Sequence, residues 1–161
     1  MLPILIITFM LGPIDGLIVI LVRFFVKVFA FSSFTSPYGE ISDLIYSIVV
    51  VLVVSLVYSK LKKQENVSSK RRFVTLLISI VGSWIVGGLL SNSFSIPIYC
   101  LIMGKETVYN MVAIFPFVNE SNWVLYYFTL AVIPFNLLLS SIVGVLTLLV
   151  DRHLLNFYNR I

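Results

Sequence analysis

The chain has 161 residues, is 60% hydrophobic and only 11% charged, and has a mean hydropathy of +1.08. Soluble domains are usually about 45–50% apolar and about 25% charged, so this composition excludes a water-soluble globular fold and requires lipid to cover part of the surface. The net charge of +4 requires no nucleic-acid partner, because the basic residues stand where membrane topology would place them. The single cysteine, Cys100, excludes an intrachain disulfide and a thiolate metal cluster.

Five apolar segments of helical character follow one another along the chain. They lack the alternating pattern of a membrane β-barrel strand, and a spanning helix needs roughly 20 apolar residues. We therefore predict an all-α integral membrane protein, a compact bundle forming one domain over residues 1–161. The predicted helices are 2–12 (ended by a break at Gly12-Pro13), 16–34, 41–59, 73–90 continuing to 103 with a break near Pro97, and 122–150, interrupted by Pro134.

The basic residues predict the orientation of the bundle. Residues 60–72 carry six lysines and arginines against one Glu65, so the positive-inside rule places this loop in the cytoplasm. The 104–121 loop is then external, and the C-terminus returns to the cytoplasm. Counting backwards puts Met1 on the outer side, which is awkward without a signal sequence and predicts that one further helix precedes it.

Two pairs of charged residues lie within or beside the apolar segments. Arg23 and Lys27 are four residues apart and share one helix face. They either face the bundle interior or a cavity, or extend towards an interface. Glu40 and Asp43 stand near the start of the third helix, where acidic groups favour the helix dipole, and the alternative is that Asp43 faces an external pocket.

Pro134, Phe135 and Asn136 form the most informative polar feature. A proline within a membrane helix frees a backbone carbonyl, and such breaks tend to line cavities. The neighbouring asparagine offers both a donor and an acceptor, although it could instead bond a neighbouring helix. Further candidates at the outer helix ends, as an interfacial belt or the roof of a binding site, are Asn92, Tyr99, Asn119, Asn122 and Trp123.

A catalytic set is not recognisable in the sequence. The one histidine, His153, lies in the C-terminal tail, and the chain has no carboxylate pair, no serine–histidine or cysteine–histidine set and no phosphate-binding loop. We therefore expect neither an enzyme nor a cofactor, and any ATP hydrolysis would belong to a separate protein.

Three stretches carry motifs that agree in order and spacing across the whole chain. Residues 3–16 are similar to PALI-x-x-FLFGP-x-x-G, residues 37–43 to PVGELAN, and residues 96–99 and 133–138 to LPLY and PFNLLKG. The chain thereby resembles the substrate-binding S components of energy-coupling factor (ECF) vitamin transporters, most closely the riboflavin type. The family's lysine in the last motif is replaced by Leu139, and in the riboflavin type that lysine looks like a pocket residue.

The resemblance implies a six-helix subunit of the bacterial cell membrane, of which this chain begins at the second helix. Such a subunit captures a water-soluble vitamin from outside, here riboflavin-like or, given Leu139, pantothenate, pyridoxine or a hydroxymethylpyrimidine. Its expected partners are the lipid bilayer, a transmembrane coupling protein (EcfT) and two ATPase subunits (EcfA and EcfA'), which drive uptake.

The same resemblance predicts where the vitamin binds. The external helix ends and the 104–121 loop would enclose a small pocket with aromatic walls and a few placed hydrogen bonds. The predicted ligand-binding residues are Asn136, Phe135, Asn92, Tyr99, Asn119, Asn122, Trp123 and Asp43, with Phe94 and Phe115 as further walls. The alternative function is a non-transporting scaffold or assembly subunit, whose polar residues only bond helices to one another.

Overall fold

The computed structural model of the protein describes residues 1–30, 37–62, 68–112 and 118–158. Nearly all of these residues are helical, and no β-strand occurs in these four ranges, which confirms the predicted all-α membrane class. The helices are α1 (Leu2–Met10), α2 (Pro13–Ala30), α3 (Pro37–Lys62), α4 (Ser69–Met103), α5 (Lys105–Val112), α6 (Trp123–Tyr126) and α7 (Ile133–Tyr158), with a π-helix (Tyr127–Val132) joining the last two.

Three stretches of helix among the described residues are long and apolar enough to cross a membrane. They are Tyr38–Lys62, Ser69–Met103 and Trp123–Asp151, and they match the last three predicted segments. The first two predicted segments correspond to α1, which has only nine residues, and α2, whose 18 residues include three charged ones. The long helices hold the cavities described below, and the two shorter ones pack beside them.

The predicted break at Gly12-Pro13 is confirmed. Gly12 has a φ of 120°, in the region that glycine adopts readily, and α2 starts at the following proline. The chain therefore turns back on itself, and α1 packs against α2. Thr8 and Gly16 meet so closely there that a side chain at position 16 would collide with the Thr8 hydroxyl.

The break expected near Pro97 is wrong, because α4 runs without interruption from Ser69 to Met103. Pro97 has no N–H to donate to the Ser93 carbonyl four residues earlier, so the helix continues with one backbone hydrogen bond fewer. The last segment also stays helical through Pro134, but the turn before this proline is a π-helix, so the predicted interruption takes the form of a local widening and not of a break.

The apolar core lies where α1, α3, α4 and α7 meet. Leu5, Val50, Ile80, Trp84 and Leu148 come from these four helices and are at most 4% exposed. α7 approaches α4 closely at Gly144, where an added Cβ would lie 2.9 Å from Leu77 Cδ1. This core holds α4 and α7 side by side, and the cavities lie farther along the same pair.

Some sequence predictions fall on residues outside the described ranges. Phe115 and parts of the 60–72 and 104–121 loops are among them, and so is the side chain of His153. The predicted cytoplasmic side of the 60–72 loop and of the C-terminus stays a prediction.

Candidate functional site

Two cavities lie between α4 and the chain that runs from α6 through the π-helix into α7. The inner cavity has a volume of about 560 Å³, and its walls include Gly88, Ser91 and Asn92 of α4. The outer cavity has about 230 Å³ and is lined farther along α4, from Asn92 through Ser95 to Met103. Ligand pockets typically measure about 300–1,000 Å³, so the inner cavity is large enough for a small organic molecule.

The inner cavity combines aromatic walls with amide groups. Tyr46 of α3, Tyr127 of the π-helix and Phe135 of α7 provide rings, and Asn92 and Asn136 provide amides. Rings offer flat apolar contact, whereas each amide offers donors and an acceptor. This arrangement suits a ligand with a flat ring and polar substituents.

Asn136 is held in place by its own helix and by a glycine opposite. Its side-chain Nδ2 donates to the carbonyl of Val132 at 2.8 Å, and the residue is 8% exposed. An added Cβ at Gly88 would lie 2.6 Å from that nitrogen, so glycine makes room for the amide. No donor among the described residues reaches Asn136 Oδ1, which leaves this oxygen available to a ligand.

Asn92 and Tyr127 line both cavities and bond to each other. The Tyr127 hydroxyl donates to Asn92 Oδ1 at 2.8 Å, and Asn92 Nδ2 donates to the carbonyl of Gly88 at 2.8 Å. Asn92 is therefore fixed to α4 by one end of its amide. Its other end joins α4 to the start of the π-helix.

Five of the eight residues predicted as ligand-binding line one or both cavities. Asn136 and Phe135 line the inner cavity, Tyr99 and Trp123 line the outer one, and Asn92 lines both. Trp123 is 3% exposed, whereas Phe135 is 65% exposed and forms only an edge of its cavity.

The other three predicted residues lie elsewhere among the described parts of the chain. Asn119 and Asn122 stabilise the turn before α6: Asn119 Oδ1 accepts from the Ser121 amide at 3.1 Å, and Asn122 Oδ1 accepts from the Asn119 amide at 2.8 Å. Asp43 is paired with Arg23 on α2. Their role in ligand binding stays a prediction that the geometry of the cavities does not support.

Sequence reasoning did not single out Tyr46, Ser91 or Tyr127 as site residues. A signal for Ser91 was present, because Gly88, Ser91, Asn92 and Ser95 stand at positions i, i+3, i+4 and i+7 and share one face of an otherwise apolar helix. The two tyrosines carried no comparable signal, since tyrosine is common both in membrane interfaces and in packed cores.

Charged side chains meet between α2 and α3 rather than at the cavities. Arg23 contacts Asp43 at 2.5 Å and donates to the Ser47 hydroxyl at 2.8 Å. Lys27 contacts Glu40 at 3.0 Å and Asp43 at 3.1 Å. Arg23 and Lys27 thus face a neighbouring helix, and the two acidic residues neutralise them.

The cavities themselves have no charged residue among their described walls. The recognition chemistry available there is hydrogen bonding by amides and hydroxyls together with contact by aromatic rings. These described walls offer no charged partner to a ligand.

Comparison with known proteins identifies the family of this chain. The chain matches the family model described as "ECF transporter, substrate-specific component" over residues 1–150. No curated protein and no solved structure matches it. The match takes in all five predicted helices and both cavities, and the chain therefore belongs to the family of substrate-specific components of ECF transporters.

Proposed function

We propose that this substrate-specific component captures a neutral vitamin with a flat heteroaromatic ring, and that the ring binds in the inner cavity. The observation that carries the proposal is the juxtaposition of Tyr46, Tyr127 and Phe135 with the amides of Asn92 and Asn136. The rings would contact the faces of the vitamin, and the free Oδ1 of Asn136 would accept a hydrogen bond from its edge.

The absence of charge from the described cavity walls favours some vitamins over others. Pantothenate carries a carboxylate, and a buried anion needs a cationic partner. The two cations of α2, Arg23 and Lys27, are already paired with Asp43 and Glu40. Riboflavin, pyridoxine and hydroxymethylpyrimidine are therefore better candidates than pantothenate.

The leucine at position 139 does not argue against riboflavin. Leu139 is 39% exposed on α7 and is not among the described residues that line either cavity. The leucine therefore removes no group from the described lining of either cavity. The volume of about 560 Å³ also leaves room for a ring system larger than one ring.

We further propose that uptake depends on a transmembrane coupling protein and two ATPase subunits, as the family implies. In this proposal the cavities open towards the outside and the 60–72 loop lies in the cytoplasm. ATP hydrolysis then takes place on the partner subunits.

The proposal is tested by vitamin binding to the protein purified in detergent. Each of the four vitamins is titrated by calorimetry, and one of the three neutral ones should bind at one molecule per chain. Asn136→Ala should weaken that binding by about 3- to 10-fold, the effect of losing one neutral hydrogen bond. Asn119→Ala makes the same chemical change outside the cavities and should leave the Kd unchanged.

Two results would reject the proposal. A folded protein that binds none of the neutral vitamins would contradict the vitamin class. If Asn136→Ala lowers the unfolding temperature but leaves binding intact, Asn136 only bonds its helix, and a scaffold function becomes the better explanation.

A further inference from the structure

A hydrogen-bonded pair of residues lies between the inner and outer cavities and lines both of them. Asn92 and Tyr127 are the two residues that line both cavities among the described walls, and the Tyr127 hydroxyl donates to Asn92 Oδ1 at 2.8 Å. The two cavities follow one another along α4: Gly88 and Ser91 precede Asn92, and Ser95 and Tyr99 follow it. With a rise of 1.5 Å per residue, the stretch from Gly88 to Tyr99 spans about 16 Å.

Access to the inner cavity is asymmetric. Two residues that line it, Leu130 and Phe135, lie on the surface of the bundle, where they are 46% and 65% exposed. In a membrane this surface faces lipid, which a polar solute does not cross readily. The outer cavity instead lies beside the end of α4 and the short α5, so a polar solute reaches the inner cavity by way of the outer one.

We propose that the Tyr127–Asn92 hydrogen bond is a gate, and that a polar solute passes from the outer to the inner cavity when this bond opens. The identity of the solute rests on the proposed function, whereas the gate itself does not. Asn92 is its fixed side, because Nδ2 remains bonded to the Gly88 carbonyl at 2.8 Å.

Tyr127 is the moving side, because it is the first residue of the π-helix. A π-helix has one more residue per hydrogen-bonded turn than an α-helix and occurs mostly as a short local widening, frequently at functional sites. Conversion of this turn to α-helix shifts the register by one residue, which rotates the preceding residues by about 100°. Such a rotation carries the Tyr127 hydroxyl away from Asn92 and joins the two cavities.

The gate can be tested without any vitamin by measuring thiol reactivity. In a Cys100→Ala background, Ser91→Cys places a thiol in the inner cavity and Ser95→Cys places one in the outer cavity. The two serines are matched, since both are on α4 and each is 6% exposed. The probe is a small, permanently charged methanethiosulfonate, applied to protein purified in detergent so that both ends of the bundle are reached.

With Tyr127 intact, the thiol at position 91 should react more slowly than the thiol at position 95. Tyr127→Phe keeps the ring and removes only the hydroxyl. It should raise the rate of thiol modification at position 91 about fivefold, the factor that corresponds to the loss of one neutral hydrogen bond. The rate at position 95 should stay the same. Asn92→Ala removes the acceptor and should give the same acceleration, while Tyr38→Phe, on an exposed tyrosine outside both cavities, should not.

The gate is overturned if, with Tyr127 and Asn92 intact, the thiol at position 91 reacts as fast as the thiol at position 95. It is also overturned if Tyr127→Phe leaves the reaction rate at position 91 unchanged. Vitamin kinetics supply a second measurement: Tyr127→Phe should raise the association rate of the vitamin, because passage from the outer to the inner cavity becomes faster. A rise in the dissociation rate alone would make the hydroxyl a ligand contact and overturn the gate. Failure of every vitamin to bind would reject the proposed function, while the thiol rates would still decide the gate.

Discussion

Two polar regions lie in this bundle, and they use their polar groups in opposite ways. Between α2 and α3, Arg23, Lys27, Glu40 and Asp43 neutralise one another through ion pairs of 2.5–3.1 Å. Between α4 and α7, the polar groups are uncharged amides and hydroxyls that surround open volume.

The difference shows how intramembrane polar groups should be interpreted. A polar residue inside a membrane protein is a candidate functional residue by default. Where every charge has a partner, as around Asp43, the group joins one helix to another. Where the space beside the groups is empty, as around Asn136, they are available to a ligand. The following substitutions test this distinction, from the largest expected effect to the smallest.

Asp43→Ala should destabilise the protein by about 2 kcal/mol and leave vitamin affinity unchanged. Breaking a fully buried ion pair costs about 3–5 kcal/mol. The effect here should be smaller, since the Arg23 and Asp43 side chains are 27% and 32% exposed. Denaturant unfolding in detergent measures it, and Asp15→Ala, on an acidic residue without an ion pair among the described residues, is the control. If Asp43→Ala folds normally but loses the vitamin, Asp43 belongs to the binding site.

Gly88→Ala should weaken vitamin binding about tenfold. The added Cβ would stand 2.6 Å from Asn136 Nδ2 and 3.0 Å from its Cγ, so the amide must move from its position in the cavity. Gly82→Ala on the same helix is the matched control, because nothing lies within 4 Å of its added Cβ. That control should keep the Kd and gain up to about 0.5–1 kcal/mol from better helix propensity. Equal binding by the two variants would show that the position of Asn136 is unimportant for the ligand.

Leu139→Lys should have the smallest effect on binding, with a Kd within about twofold of the original. The side chain is partly exposed on α7 outside the described cavity walls, and a lysine can extend its ammonium towards the membrane surface. Calorimetry with the bound vitamin measures it. A tenfold change in the Kd in either direction would place position 139 in the pocket. The residue at this position would then help to determine which vitamin binds.

The pairing of the charged residues could have been predicted from the sequence more fully than it was. Arg23 and Lys27 share one face of α2, and Glu40 and Asp43 are three apart on α3. A short connection makes these helices antiparallel neighbours, so residues at similar distances from the connection come together. Both Arg23–Asp43 and Lys27–Glu40 obey this rule.

The cavity was only partly predictable, and the two prolines show why. Pro134 and Pro97 each stand in an apolar segment, yet the helix widens before Pro134 and continues straight through Pro97. Asn136 could be predicted as a cavity residue because it lies two residues after Pro134. Tyr46 was missed because its place in the cavity wall depends on how α3 crosses the Gly87–Gly88 pair of α4, where an added Cβ at Gly87 would lie 3.1 Å from the tyrosine ring.

The sequence by itself determined the membrane class, the helical segments, the turn at Gly12-Pro13 and the motifs of the family. These are local properties, since hydropathy, periodicity and backbone restrictions act over a few residues. Only the tertiary structure decided which polar groups neutralise each other and which remain open beside a cavity. That outcome depends on the contacts between helices far apart in the chain, because a polar side chain is satisfied or available according to what the neighbouring helix places within hydrogen-bonding distance of it.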